Sequence, residues 1–257
     1  MRRKTLFSLL VSTVVLIMIL GTSLMAAAQA QPAPGQWRGS IPVVFEPTHA
    51  ELGNYVVLEV PNEVLPTNRG HFEWDPEANE LVVYAYGKRF SQRNDKGSFV
   101  FMRLPGPNVE VTARVVSRLE NIPHGDINRG VAASRAGIMF RDSLDAGALR
   151  VMGAVYAGDH RARLELRNFV NGESANFQVG GSPPYNLPYW IRFIREGDTV
   201  RYYTSPDGED WTLRLGARHR MTRDMFYVGF AVSRGDSITV GYDYPQRVVF
   251  DNITILR

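Results

Sequence analysis

The feature that most limits what this sequence can fold into is a series of short segments in which apolar residues alternate with others. Turn-forming residues separate these segments. The stretch from Arg135 to Asp159 shows it best, because Ile138 and Phe140 face one side of a strand while Met139 faces the other. A turn rich in Asp, Ser and Gly follows. A second strand is predicted from about Leu149 to Tyr156.

Roughly a dozen such segments are predicted along the chain, and no window has a sustained helical period of apolar residues. In the segment from Asn108 to Leu119, for example, every second residue is apolar. This pattern predicts an all-β fold of two antiparallel sheets packed as a β-sandwich. Residues 41–257 are expected to form one domain, and residues 31–40 a short linker.

The first thirty residues have the pattern of a secretory signal peptide. Arg2, Arg3 and Lys4 precede an apolar run, and small residues follow up to Ala30. Cleavage after Ala30 predicts a secreted or periplasmic protein without membrane contact; an uncleaved anchor is the alternative, because the apolar character persists for about 20 residues. There is no cysteine, so no disulfide stabilises the fold.

The charge of the mature chain argues against nucleic-acid binding. The formal net charge of +3 arises from the three basic residues of the leader, so the remainder is close to neutral. Lys88 and Lys96 are the only lysines after the leader. Arginine therefore carries almost all of the positive charge, and it recognises carboxylate, phosphate or sulfate in a planar, two-pronged way.

Four segments together carry a family resemblance: AGIMFRDSLDAG, NLPYWIRFIREGDTVRYYTSPDGEDWT, FYVGFAVS and VVFDNITI. From about Phe72 onward the chain resembles the concanavalin A-like lectin/glucanase superfamily, and in particular the secreted jelly-roll domain also found at the C-terminus of bacterial β-xylosidases. The resemblance implies a jelly-roll sandwich whose concave sheet offers a cleft that relatives use for carbohydrate. Fold likeness alone does not fix a function.

Glu73, Asp75 and Glu77 come near the alternating carboxylates of the retaining glucanases in that superfamily. Two such carboxylates supply a nucleophile and an acid/base on opposite sides of a glycosidic bond. Pro76 stands where that family has an aliphatic residue, and proline cannot donate to a central ladder. A hairpin turn explains the same residues, so no catalytic residue is assigned and the glycoside hydrolase remains an alternative.

Two further motifs have mainly structural interpretations. Asp126, Asn128 and Gly130 place oxygen ligands at alternate positions, as in a calcium loop, but the glutamate of an EF-hand is missing. No cofactor is therefore predicted, with structural calcium left open. Ser205 to Trp211 resembles a contracted Asp-box turn, in which the aspartate caps backbone amides and the tryptophan packs beneath the hairpin.

Arginine and aromatic side chains at strand positions form the candidate ligand surface. Sugars stack their apolar faces on aromatic rings while their hydroxyls meet planar polar groups. The candidate residues are Arg141, Arg167, Trp190, Arg192, Tyr84, Tyr86 and Tyr203. The alternative is that Trp190 is buried and the arginines pair with neighbouring acids.

The sequence thus predicts a secreted, non-catalytic module that binds a polysaccharide on the concave sheet. The alternatives are a glycoside hydrolase that uses Glu73, Asp75 and Glu77, and an adhesion or scaffold module that binds protein through the same face.

Overall fold

The computed structural model describes most of the region expected to form the domain. The described residues are 40–45, 50–52, 71–85, 89–91, 93–118, 134–156, 161–178, 186–221, 223–233 and 246–257. The expected leader, nearly all of the expected linker, Tyr86 and the Asp126–Gly130 motif lie outside these residues.

Within the described residues the secondary structure consists of strands. They are β1 (Ala50–Leu52), β2 (His71–Asp75), β3 (Glu80–Ala85), β4 (Arg89–Ser91), β5 (Asn94–Pro105), β6 (Val109–Arg118), β7 (Arg135–Arg141), β8 (Arg150–Tyr156), β9 (Ala162–Arg167), β10 (Ala175–Gln178), β11 (Tyr189–Glu196), β12 (Thr199–Ser205), β13 (Thr212–Arg218), β14 (Met225–Ser233) and β15 (Gln246–Leu256).

The strands form two antiparallel sheets. The first sheet has the order β1-β5-β14-β7-β8-β9-β10, with β4 paired to β5, and the second has the order β13-β12-β11-β6-β15-β3-β2. The chain passes from one sheet to the other at β1–β2, β3–β4, β5–β6, β6–β7, β10–β11, β13–β14 and β14–β15, so neighbours in space are often distant in sequence. This is a two-sheet antiparallel jelly-roll sandwich, and it confirms the predicted all-β fold class.

The core lies between the two sheets, where every second residue of each strand points inward. Val109, Val111 and Ala113 on β6 are fully buried, as their alternation predicts. The rings of Phe140 and Phe193 stack across the core with centroids 4.7 Å apart. The side chains of both inner faces are packed against each other, so only the outer faces of the sheets are available for contacts with other molecules.

The predicted turns lie where the sequence places them. Asn79 has a φ of 52° at the end of the β2–β3 turn, and Gly197 has a φ of 59° between β11 and β12. Both lie in the left-handed region, which Gly and Asn adopt most readily.

A hairpin covers part of the outer face of the first sheet. The pairing of β4 with the start of β5 brings Phe90 and Asp95 onto this face, and both are fully buried. Phe90 joins a second apolar cluster with Phe99, Met139 and Met152, separate from the core between the sheets. The outer face of the second sheet carries polar and aromatic side chains instead.

Candidate functional site

Trp190, Arg192 and Tyr203 lie together on the outer face of the second sheet. Arg192 and Tyr203 are directly opposite each other in the β11–β12 ladder, and cross-strand partners share a face. Trp190 is two residues before Arg192 and therefore points the same way. Trp190 and Arg192 therefore share a face, as strand alternation predicts, and both are only half-buried.

Each of two indole rings on this face lies against an arginine from a neighbouring strand or turn. The guanidinium carbon of Arg114 is 5.7 Å from the centroid of Trp190, and that of Arg192 is 4.4 Å from the centroid of Trp211. These distances allow a cation–π attraction. Trp211 is also half-buried, so a second indole, not included in the predicted surface, belongs to it.

Carboxylates hold the same arginines from the other side. Arg114 pairs with Asp251 at 2.5 Å, and Arg192 pairs with Glu110 at 2.9 Å. The pairing with Asp251 raises the pKa of Arg114. Held between a carboxylate and an indole, each guanidinium loses little additional freedom when it contacts a ligand.

The turn of residues 205–210 fixes the position of Trp190. The Asp207 carboxylate accepts hydrogen bonds from the amides of Glu209 and Asp210, both at 2.9 Å, as the Asp-box resemblance predicts. These amides and the Ser205 hydroxyl lower the pKa of Asp207 to about 2. Trp190 lies against this turn, because a Cβ placed on Gly208 would be 2.8 Å from the Trp190 ring.

Tyr203 forms the floor of this face. It is 2% exposed, and burial raises its pKa. Its hydroxyl has no hydrogen-bond partner among the described residues, although Arg201, Glu196 and Arg192 lie near enough to influence its charge. Because the side chain is buried, Tyr203 is not itself open to a sugar, which corrects its assignment as a sugar contact.

Tyr84 is also on the outer face of the second sheet, but at a distance from Trp190, Arg192 and Tyr203. It lies on β3, half-buried, opposite Arg247. The strands β6 and β15 separate β3 from β11, which makes three strand spacings, or roughly 14 Å at about 4.8 Å per spacing. Tyr84 therefore lies beside the group around Trp190 and does not join it. Tyr86 lies outside the described residues.

Arg141 and Arg167 lie on the other sheet and are buried, which corrects their assignment as sugar contacts. Arg141 is 0% and Arg167 1% exposed, and both donate to the Asp95 carboxylate, Arg167 at 2.7 and 2.9 Å. Burial lowers the pKa of both guanidiniums, and Asp95 opposes that effect. Side chains enclosed in this way are not part of an open surface on which a sugar ring could lie. Pairing of these arginines with neighbouring acids was the predicted alternative, but Asp95 was not among the predicted partners.

The three candidate carboxylates of the hydrolase alternative do not share one strand face. Glu73 and Asp75 are exposed on the edge strand β2, and Glu77 is exposed in the turn that follows. The Asp75 carboxylate accepts the amides of Glu77 and Ala78 at 2.9 and 3.0 Å, so it caps this turn. The geometry is that of a hairpin turn, the structural interpretation of these residues.

Among the described residues, no group of three or more His, Cys, Asp or Glu side chains is placed to hold a metal ion. The Asp126–Gly130 motif is not part of that region. The described part of the chain also contains no helix long and apolar enough to cross a membrane.

Comparisons with known proteins give similarities of fold only. No family model matches the chain, and no curated protein matches it. Solved structures similar to it include a protein of unknown function from Saccharomyces cerevisiae (18% identity, TM-score 0.49, 72% of this chain and 95% of that chain) and a carbohydrate-binding module from Bacillus subtilis (17%, 0.46, 75% and 94%). A kappa-carrageenase from Pseudoalteromonas carrageenovora, in complex with a carrageenan oligosaccharide, is 12% identical with a TM-score of 0.43 over 88% of this chain and 99% of that chain. No functional residue is transferred from these proteins.

Three residues of the outer faces were not predicted from the sequence: Trp211 and Arg114 on the second sheet, and Asp95 on the first. Trp211 stands in a turn motif with a structural explanation of its own, so its ring was assigned to the hairpin. Asp95 lies in a segment that reads as a polar loop. The burial of the arginines could have been predicted from their strands, which carry apolar residues on both faces. Strands of this kind are typically buried on both sides.

Proposed function

We propose that this chain is a secreted carbohydrate-binding domain without catalytic activity, and that it binds on the outer face of the second sheet around Trp190, Arg192 and Trp211. The observation that carries the proposal is the pair of half-buried indoles, each placed against an arginine, on one sheet face. The carbohydrate-related descriptions of some similar structures agree with the proposal, which does not rest on them.

The chemistry of these side chains suits a sugar ring. The apolar face of a pyranose stacks on an indole, and the ring hydroxyls accept hydrogen bonds from guanidinium N–H groups. Arg114 and Arg192 are already held by Asp251 and Glu110, so binding requires little ordering of side chains. No cofactor is needed for recognition of this kind, and anionic sugars would gain an additional charge-assisted bond.

Binding is tested by a glycan array of neutral and anionic polysaccharide fragments, followed by calorimetric titration with the oligosaccharide that gives the strongest signal. Trp211→Ala should weaken the affinity by about tenfold or more, as expected when a central aromatic contact is removed. Phe169→Ala is the matched control, because Phe169 is 59% exposed in the loop after β9 of the first sheet. Its affinity should equal that of the wild type.

Two results would contradict the proposal. Unchanged affinity in Trp211→Ala and Trp190→Ala would exclude this face, and a complete absence of array binding would favour the protein-binding alternative. A reducing-sugar assay on the same polysaccharides tests the hydrolase. Activity that is lost in Glu73→Gln or Glu77→Gln would replace the proposal with catalysis.

A further inference from the structure

Four arginines are buried on the outer face of the first sheet, against two carboxylates. The arginines are Arg135, Arg141, Arg150 and Arg167, at 7, 0, 0 and 1% exposed, and the acids are Asp95 and Glu165, at 0 and 1%. Asp142 is also buried and lies near both Arg141 and Arg223. Including Asp142 together with Arg223 adds one negative and one positive charge, so the net charge of the cluster stays the same. The described residues of this cluster therefore carry two positive charges more than negative ones.

Asp95 already accepts as many hydrogen bonds as it can, and Glu165 accepts nearly as many. Asp95 accepts from Arg150 at 2.8 Å, from Arg167 at 2.7 and 2.9 Å, and from Arg141. Glu165 accepts from the hydroxyl of Tyr156, from Arg150 at 3.0 Å, and from Arg135 at 3.2 Å. A carboxylate offers about four lone-pair sites, so Asp95 has no capacity for another donor and Glu165 has room for about one.

Backbone carbonyls satisfy further guanidinium groups without adding negative charge. Arg141 donates to the carbonyls of Ser143 and Asp145 at 3.0 and 2.5 Å, and Arg167 donates to that of Gly172 at 3.2 Å. The Nη1 of Arg150 and the Nε of Arg135 remain buried without a partner among the described residues.

The two unpartnered groups belong to neighbouring guanidiniums. Glu165 Oε2 accepts from Arg150 at 3.0 Å and from Arg135 at 3.2 Å, so these side chains lie next to each other. The β4–β5 hairpin covers them: Arg135 donates to the carbonyl of Phe90, and the Arg150 guanidinium carbon is 5.9 Å from the Phe90 ring. Arginine does not lose its proton in proteins and an uncompensated buried charge is costly, so an excess of positive charge among these residues favours the binding of an anion.

We propose that the arginine cluster beneath the β4–β5 hairpin binds one small oxyanion group, a sulfate, phosphate or carboxylate, through Arg150 and Arg135. Such a group supplies the missing negative charge and accepts the free N–H groups, and guanidiniums bind oxyanions with two parallel bonds. This site is on the opposite face of the sandwich from the proposed sugar face, and neither proposal depends on the other. The anion is either a free inorganic ion or the charged group of an acidic sugar.

Thermal unfolding of the purified full chain tests the site, with sodium sulfate, sodium phosphate, glucuronate and neutral glucose added at constant ionic strength. An anion that binds the folded state raises the Tm in a saturable way. A saturable shift with sulfate or phosphate supports the site and identifies an inorganic ion. A shift with glucuronate alone supports it and identifies a sugar carboxylate if Arg150→Gln removes the shift, and overturns it if the shift persists in that variant. No saturable shift with any of the anions, or an equal shift with glucose, overturns it.

Variants and a direct mass measurement complete the test. Arg150→Gln should raise the dissociation constant obtained from the Tm shift by about tenfold or more, as loss of a charge-assisted hydrogen bond predicts. Arg103→Gln, at an exposed position on β5, should leave it unchanged, and an equal effect of both variants overturns the site. If Arg150→Gln does not fold, native mass spectrometry of the wild type decides. One retained anion per chain supports the site, and a bare chain at saturating sulfate overturns it.

Discussion

At the scale of single residues, Asp95 organises the covered face of the first sheet. Burial alone would raise the pKa of its carboxyl, but Arg150, Arg141 and Arg167 outweigh burial and lower the pKa to about 2. Asp95 therefore stays ionised wherever the protein is folded near neutral pH. One carboxylate that joins β7, β8 and β9 to the hairpin above them explains why three buried arginines are tolerated.

His219 provides a prediction about pH. Burial, together with the nearby charge of Arg195, lowers its pKa to about 4, from 6.5 in the unfolded chain. The unfolded chain therefore takes up a proton first as the pH falls, so this contribution to stability is complete above about pH 6.5 and is lost towards pH 4. We expect a loss of roughly 2–3 kcal/mol over that window.

His219→Asn isolates this effect in urea unfolding measured between pH 4 and 7. The asparagine carbonyl can replace Nδ1 as the acceptor for the Met221 amide, which donates at 3.1 Å. The unfolding free energies of wild type and variant should diverge as the pH rises. A difference that is independent of pH would show that the histidine does not titrate as described.

Alternation along strands predicted the relative positions of residues, but not which side of a sheet meets solvent. Trp190 and Arg192 share a face as alternation predicts, and the ladder of the β11–β12 hairpin adds Tyr203 to it. Arg141 could not be placed, since its burial depends on a hairpin that begins about fifty residues earlier in the sequence. Only the crossing of the chain between sheets brings the two together.

At the scale of elements, the two sheets approach closely where a glycine faces a tyrosine. A Cβ at Gly153 on β8 would lie 2.5 Å from the Tyr202 ring on β12. Tyr202 is fully buried and packs against Phe193, so it has little room to move. The small residue in β8 is therefore a requirement of packing between sheets, which a pattern within one strand does not reveal.

Gly153→Ala should lower the free energy of unfolding by about 1–3 kcal/mol through overpacking. Gly216→Ala on β13 is the matched control, because its added Cβ would lie 3.6 Å from the nearest atom. It should change stability by less than about 1 kcal/mol. In a Tyr202→Leu background the cost of Gly153→Ala should shrink, and an undiminished cost would mean that another contact is responsible.

At the scale of the whole molecule, the outer faces of the two sheets differ in what they can do. The first is covered in its centre by the β4–β5 hairpin and holds buried arginines. The second presents half-buried indoles and arginines. The all-β sandwich was predictable from strand length and turn chemistry, whereas the covered face was not, because it depends on contacts between segments far apart in sequence.

Hydrogen–deuterium exchange of the chain, with and without the oligosaccharide selected on the array, tests the central claim most directly. The account predicts slower exchange in residues 189–205 and 211–218 of β11, β12 and β13 when the sugar is bound, with residues 135–156 of the first sheet unchanged. Protection confined to residues 135–167, with the second sheet unaffected, would contradict it.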